Sequence, residues 1–137
     1  MKFLAFILLF SLNLALNAQQ DTVIKKKHLP YLLFEKTIHD YGTLEYGSDA
    51  TYYFEFVNAG KTPLVITKCE PSCGCTVADW SKEPIKKNGK GTIKVRYNTT
   101  LAGSFAKTIT VVSNAQNSPV ILTIQGKVKK AKEESNP

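Results

Sequence analysis

Apolar residues recur at every second position through most of this chain, and that period constrains its fold more than any other feature. Tyr52, Phe54 and Phe56 alternate with Tyr53, Glu55 and Val57. Ile93, Val95 and Tyr97 alternate with Lys94 and Arg96; Ile109 and Val111 alternate with Thr108, Thr110 and Val112. Val120, Leu122 and Ile124 alternate with Ile121, Thr123 and Gln125. A period of two sends successive side chains to opposite faces of an extended strand, whereas a helix needs apolar residues three and four apart. Each run is also rich in β-branched and aromatic residues, which suit a pleated, half-buried surface.

Turn signals punctuate these runs. Asn58-Ala59-Gly60 precedes Lys61-Thr62-Pro63, and Asn88-Gly89 offers a pair that readily takes positive φ. Ala102-Gly103-Ser104 and the stretch from Asn114 to Pro119 break the later runs. The pattern predicts about seven strands, at 32–39, 50–58, 63–69, 75–80, 91–98, 105–113 and 118–128. Short strands with frequent turns argue for a sandwich or barrel, and the expectation adopted is an all-β, immunoglobulin-like sandwich in which each strand buries one face against the opposite sheet. Roughly twelve to fifteen inward apolar side chains, at about 1.5–3 kcal/mol each, suffice to hold such a domain without many disulfides. An antibody-type domain is excluded, because that type needs one cysteine on each sheet with a tryptophan between them. Here Cys69, Cys73 and Cys75 lie within one short stretch and Trp80 follows all three.

The chain's ends bear on compartment. Met1-Lys2 gives a positive start, Phe3 to Leu16 is an almost unbroken apolar run, and Asn17-Ala18-Gln19-Gln20 follows. This is the three-part layout of a secretory signal peptide over residues 1–18, too short for a spanning helix, with cleavage expected after Ala18. A secreted or periplasmic location follows. Residues 19–30 read as a flexible lead-in, 31–128 as the sandwich domain and 129–137 as a charged, apolar-poor tail. The net charge of +7 is spread over these parts: between residues 31 and 126 ten basic side chains face eight acidic ones. Most of the excess therefore sits on lysine-rich flanks, which suits solvated tails or weak contact with an anionic surface. Nucleic acid is not an expected partner of an exported chain.

Cys69-Glu70-Pro71-Ser72-Cys73-Gly74-Cys75 is the one constellation with chemical potential, read as lying where the third strand ends and a loop begins. Three readings stay open. Export favours a local disulfide among Cys69, Cys73 and Cys75, with one thiol left over; pairing 73–75 closes a very small ring that only Gly74 makes feasible. Cys73 and Cys75, with Cys69 as a third ligand, can alternatively hold a soft ion such as Cu(I) or Zn(II), although the second half of a structural zinc site is missing. Thiol–disulfide exchange is the third reading; Lys68 is the nearby cation available to lower a thiol pKa.

Catalytic machinery is otherwise sparse. His39 and Asp40 are adjacent, but alternation points them to opposite faces, so they are not read as a base and its orienting acid. His39 is read as a surface strand residue and Trp80 as core. Asn98-Thr99-Thr100 fits the N-glycan acceptor pattern. No catalytic residue and no cofactor is assigned.

Several segments resemble one bacterial family: Ile38-His39-Asp40-Tyr41-Gly42-Thr43-Leu44, Phe54 to Leu64, Ser72-Cys73-Gly74-Cys75-Thr76, Tyr97-Asn98, Gly103-Ser104-Phe105, Lys107 to Val111 and Ser113-Asn114. In this order they are similar to the domain of unknown function 1573, an immunoglobulin-like group related to Hydin-type (ASH) and major-sperm-protein-like sandwiches. The resemblance spans about residues 34–128. It implies the fold and export, and no activity. Cys73 and Cys75 match its pattern, whereas Cys69 is an addition of this chain. The expected role is a non-catalytic interaction or structural module of the cell envelope, partnered by another envelope or secreted protein.

Overall fold

The inward residues of the alternating runs meet in one core between two sheets. The computed structural model describes residues 28–133. The signal-peptide reading of residues 1–18, most of the lead-in and the last four residues of the tail lie outside the described residues. The strands are β1 (Leu32–Phe34), β2 (Ile38–Leu44), β3 (Thr51–Asn58), β4 (Ile66–Pro71), β5 (Thr76–Trp80), β6 (Lys90–Tyr97), β7 (Gly103–Ser113) and β8 (Val120–Val128). One sheet has the order β1-β3-β6-β5 and the other β2-β8-β7-β4. All pairings are antiparallel except that of β2 with β8, which is parallel.

The expected all-β sandwich is what the described residues form, with eight strands among them rather than seven. The single strand expected over 32–39 is divided. Leu32 and Phe34 face the core from β1, the exposed Glu35-Lys36-Thr37 bends, and Ile38 starts β2 in the opposite sheet. No glycine or proline marks this break. It exists because β1 finds a partner in β3, while Thr37 C=O accepts from Thr123 N–H (2.8 Å) and commits β2 to β8.

Phe54 and Phe56 of β3, with Ile93, Val95 and Tyr97 of β6, cover Phe105, Ile109 and Val111 of β7 and Leu122, Ile124 and Val128 of β8. The Tyr97 and Phe105 rings stack across the two sheets at 3.7 Å. Among the described residues eighteen apolar side chains are buried, more than the twelve to fifteen expected, because Leu64, Ala50 and Ala115 come inward from the connections.

Asn58 ties the connections to this core. Its side chain is fully buried and makes four hydrogen bonds: Oδ1 accepts from Tyr31 N–H (3.3 Å) and Gly60 N–H (3.0 Å), and Nδ2 donates to Thr62 C=O (2.8 Å) and Ile85 C=O (2.9 Å). Gly60 lies so close to the backbone of Leu29, Pro30 and Tyr31 that a Cβ there would collide with main-chain atoms. Asn88 takes the positive φ (62°) expected of the Asn-Gly turn.

A sandwich leaves four edge strands with unpaired backbone groups, which native proteins usually blunt. Residues 31, 33 and 35 bond to β3, so Leu32 presents its N–H and C=O outward. The Asn117 side chain meets both, accepting from Leu32 N–H (3.0 Å) and donating to Leu32 C=O (2.8 Å). The edge of β4 carries Pro71, whose missing N–H faces away from β7, and the Trp80 indole N–H donates to Ile66 C=O (3.1 Å). The edge of β2 is kinked by an irregularity between Asp40 and Thr43, where Gly42 has φ +64° and donates to the Asp40 carboxylate (2.7 Å). On β5 the outward N–H of Thr76 donates to Cys73 C=O (3.4 Å) and that of Trp80 to the Asp79 carboxylate (2.9 Å). Asn98 N–H donates to Cys75 C=O, which sets the register so that Val77 and Asp79 bond to β6 and Ala78 turns its N–H and C=O outward.

Candidate functional site

The turn between β4 and β5 holds the three cysteines, and alternation separates them. On β4, residues 68 and 70 point to solvent and Cys69 points into the core. Cys69 therefore lies within the strand rather than at the start of a loop, as the sequence suggested, because β4 runs on through Pro71. Its thiol is free, buried and pushed up to about 12 by that burial. Lys68, on the opposite face, pairs with Glu70 (2.9 Å) and does not serve Cys69.

Cys73 and Cys75 are joined as a disulfide across Gly74. Both are half-buried, and Gly74 is exposed between them. Ser72 anchors the turn to β7: its N–H donates to Thr108 C=O (2.8 Å) and its hydroxyl accepts from Thr108 N–H (3.1 Å). Cys75 N–H donates to the Cys73 Sγ (3.3 Å), and Cys75 Sγ lies 3.9 Å from the Thr76 hydroxyl. The sulfurs needed for soft-metal capture are thus bonded to one another, so capture requires prior reduction. Among the described residues, no three or more His, Cys, Asp or Glu side chains cluster as metal ligands would.

A groove of about 770 Å³ opens beside this turn, lined among others by Gly74, Cys75, Val77, Lys94, Arg96 and Asn98. The Arg96 and Val77 positions are directly opposite in the β5–β6 ladder, as are those of Lys94 and Asp79. Asn98, in the glycan-acceptor triplet, is exposed, and its side-chain Oδ1 accepts from Thr100 N–H (3.0 Å) and hydroxyl (2.7 Å), closing a local turn. The sequence pointed to the cysteines. It gave no sign that β6 would bring Lys94 and Arg96 beside them, since both looked like ordinary solvent-facing strand residues.

His39 and Asp40 do lie on opposite faces. His39 is not a plain surface residue, however. It is half-buried, stacked on Tyr52 at 3.5 Å and edge-on to Tyr41 at 4.4 Å. Burial lowers its pKa below the ordinary histidine value, against the raising influence of Asp40. Asp40 is held below the usual carboxylate range by hydrogen bonds, first from the Gln125 amide (2.9 Å) and then from Gly42 N–H. Trp80 is half-buried against the core, with the Lys82 ammonium 2.9 Å from its ring centre.

A family model described as "Protein of unknown function (DUF1573)" matches residues 32–128. The chain belongs to that family. The resemblance read from Ser72-Cys73-Gly74-Cys75-Thr76 and its companion segments is thereby confirmed. A search of curated proteins finds no match. Among solved structures, this DUF1573 chain is similar to a protein of unknown function from Porphyromonas gingivalis W83, with 17% identity, a TM-score of 0.67, and coverage of 79% of this chain and 51% of that one. The chain thus spans about half the length of that protein. An ASH/PapD-like domain of human CEP192 aligns with TM-score 0.61 at 11% identity, covering 80% of this chain and 93% of that domain. The secreted serine protease VesC from Vibrio cholerae aligns with TM-score 0.55 at 14% identity, over 72% of this chain but 23% of the protease. At these identities the likenesses show the fold alone, and no activity comes with them.

Proposed function

We propose that this chain is an exported, non-catalytic module of the cell envelope that binds an extended segment of another envelope protein along the open edge of β5. One observation carries the reading: the edge of β5 turns Ala78 N–H and C=O outward beside the groove lined by Cys75 and Val77, whereas Asn117, Trp80 with Pro71 and the Gly42 irregularity each cover part of the other edges. A partner strand opposite Ala78 would exchange two main-chain hydrogen bonds with it and reach the outward carbonyls of Thr76 and Trp80. Such strand addition takes affinity from the backbone and specificity from alternate side chains. The exposed Val77 and Asp79 are the side chains an added strand would face, so an apolar residue opposite Val77 and a basic one opposite Asp79 suit the partner.

The test is selection of nonapeptides by display against the full chain, followed by affinity measurement on the Ala78→Pro variant. Because Ala78 N–H faces away from β6, proline there removes the outward donor without breaking the internal ladder; circular dichroism checks the fold. Selected peptides should carry apolar residues at alternate positions and should lose affinity about tenfold, the effect of roughly 1.4 kcal/mol. Peptides that bind Ala78→Pro as well as the unaltered chain would defeat the reading. Export rests on the apolar run Phe3–Leu16. An intact mass beginning at Gln19 for the natively produced protein supports it, and retention of Met1 in a cytoplasmic fraction removes it.

A further inference from the structure

We infer that the Cys73–Cys75 disulfide is an exchange site that oxidises a dithiol, with Cys75 as the sulfur attacked and Cys73 as the sulfur that leaves. The two sulfurs are not equivalent. Cys75 lines the groove and Cys73 does not, so an incoming thiolate arriving through the groove meets the Cys75 side of the bond. Cys73 Sγ already accepts the Cys75 backbone N–H at 3.3 Å. A main-chain donor held in place by the β5 register stabilises the negative charge that develops on Cys73 when the bond breaks. The leaving sulfur of lower pKa departs faster. Cys75 Sγ has only the Thr76 hydroxyl at 3.9 Å. Lys94 and Arg96 on the same groove favour approach of an anionic thiolate.

In the first step the substrate sulfur bonds to Cys75 Sγ, the Cys73–Cys75 bond breaks, and Cys73 leaves with the electron pair as thiolate. In the second, the substrate's other thiolate attacks the substrate sulfur of the mixed disulfide, and Cys75 leaves as thiolate. The substrate becomes a disulfide, the protein gains two electrons as a dithiol, and the substrate's two protons pass to the protein thiolates or to water. Cys69 takes no part, being buried on β4 facing the core. This site does not depend on strand addition at β5, and small thiols test it without any partner protein.

The experiment exposes the folded, oxidised full chain to millimolar reduced glutathione, quenches with acid, alkylates the freed thiol and locates both marks by peptide mass spectrometry. Glutathione should appear on Cys75 and the alkyl group on Cys73, with a preference of roughly fivefold or more. The pH dependence of alkylation supplies a second readout: Cys73 in Cys75→Ser, which keeps the main-chain donor, should titrate below Cys75 in Cys73→Ser. Cys69→Ala should exchange at the unaltered rate. A bond that resists glutathione in the folded protein, adducts divided evenly or placed on Cys73, or an inverted order of the two thiol titrations would each overturn the assignment.

Discussion

Asn58→Ala should be among the most damaging single substitutions in the domain, although Asn58 belongs to no candidate site. The side chain is fully buried, and its four hydrogen bonds reach Tyr31, Gly60, Thr62 and Ile85. Alanine removes all four. The Gly60 N–H bond is itself buried, so that donor loses its partner with no water at hand, at about 1–3 kcal/mol. The other three are part-buried and cost about 0.5–1.5 kcal/mol each. The loss should be about 4 kcal/mol, near the upper end of single-site effects. For a domain of this size that corresponds to a fall in Tm of roughly 15–30 °C. Urea unfolding followed by tryptophan fluorescence measures it directly, since Trp80 is the one tryptophan. Asn58→Asp separates hydrogen bonding from volume. It keeps the acceptor for Tyr31 and Gly60 but sets a carboxylate against the Thr62 and Ile85 carbonyls. It should therefore be as unstable as alanine at neutral pH and recover, relative to the unaltered chain, as pH falls and the carboxyl takes a proton. A loss below about 1 kcal/mol for Asn58→Ala, or no recovery of Asn58→Asp in acid, would refute the view of this residue as the joint between turn and core.

Three further outcomes are expected. Gly60→Ala should destabilise by about 1–3 kcal/mol or more, since its Cβ meets main chain that no rotamer change can clear; a thermal melt reads this. Trp80→Phe should cost about 1 kcal/mol by losing the bond to Ile66 C=O while keeping most of the apolar contact, and an unchanged urea midpoint would show the strap to be idle. His39 should make stability depend on pH. Its folded pKa lies below the ordinary value, so the unfolded chain binds the proton more readily; the stabilisation is whole above about pH 6.5 and is lost as pH falls below that toward the folded pKa. His39→Gln should flatten that part of the profile in denaturant titrations, and an unflattened profile would place the dependence elsewhere.

The central strands were plain in the sequence because β3, β6, β7 and β8 are covered on one face, and such burial writes itself as strict alternation. The split between β1 and β2 was not plain. Glu35, Lys36 and Thr37 fit an exposed strand as well as a bend, and the choice is made by distant partners in β3 and β8. Asn58 was visible as a turn residue, but its four partners come from segments up to 27 positions away. For the same reason the cysteines stood out, while the cations beside them did not. Arg96 reaches the groove through its pairing opposite Val77, and nothing in its own neighbourhood announces that pairing. Cys69 was grouped with its neighbours by spacing, yet alternation along β4 turns it to the other side.

The parallel pairing of β2 with β8 has a mechanical consequence. Ile38 sits beside Thr123 and Leu44 beside Val128, so once β1 has been stripped from β3, tension applied at the two ends of the domain drags these strands past one another lengthwise. Their cross-links must then yield together rather than one after another from an end, and stretching of single molecules should meet a high, abrupt rupture force. A gradual peel at low force would show that the load travels by another route.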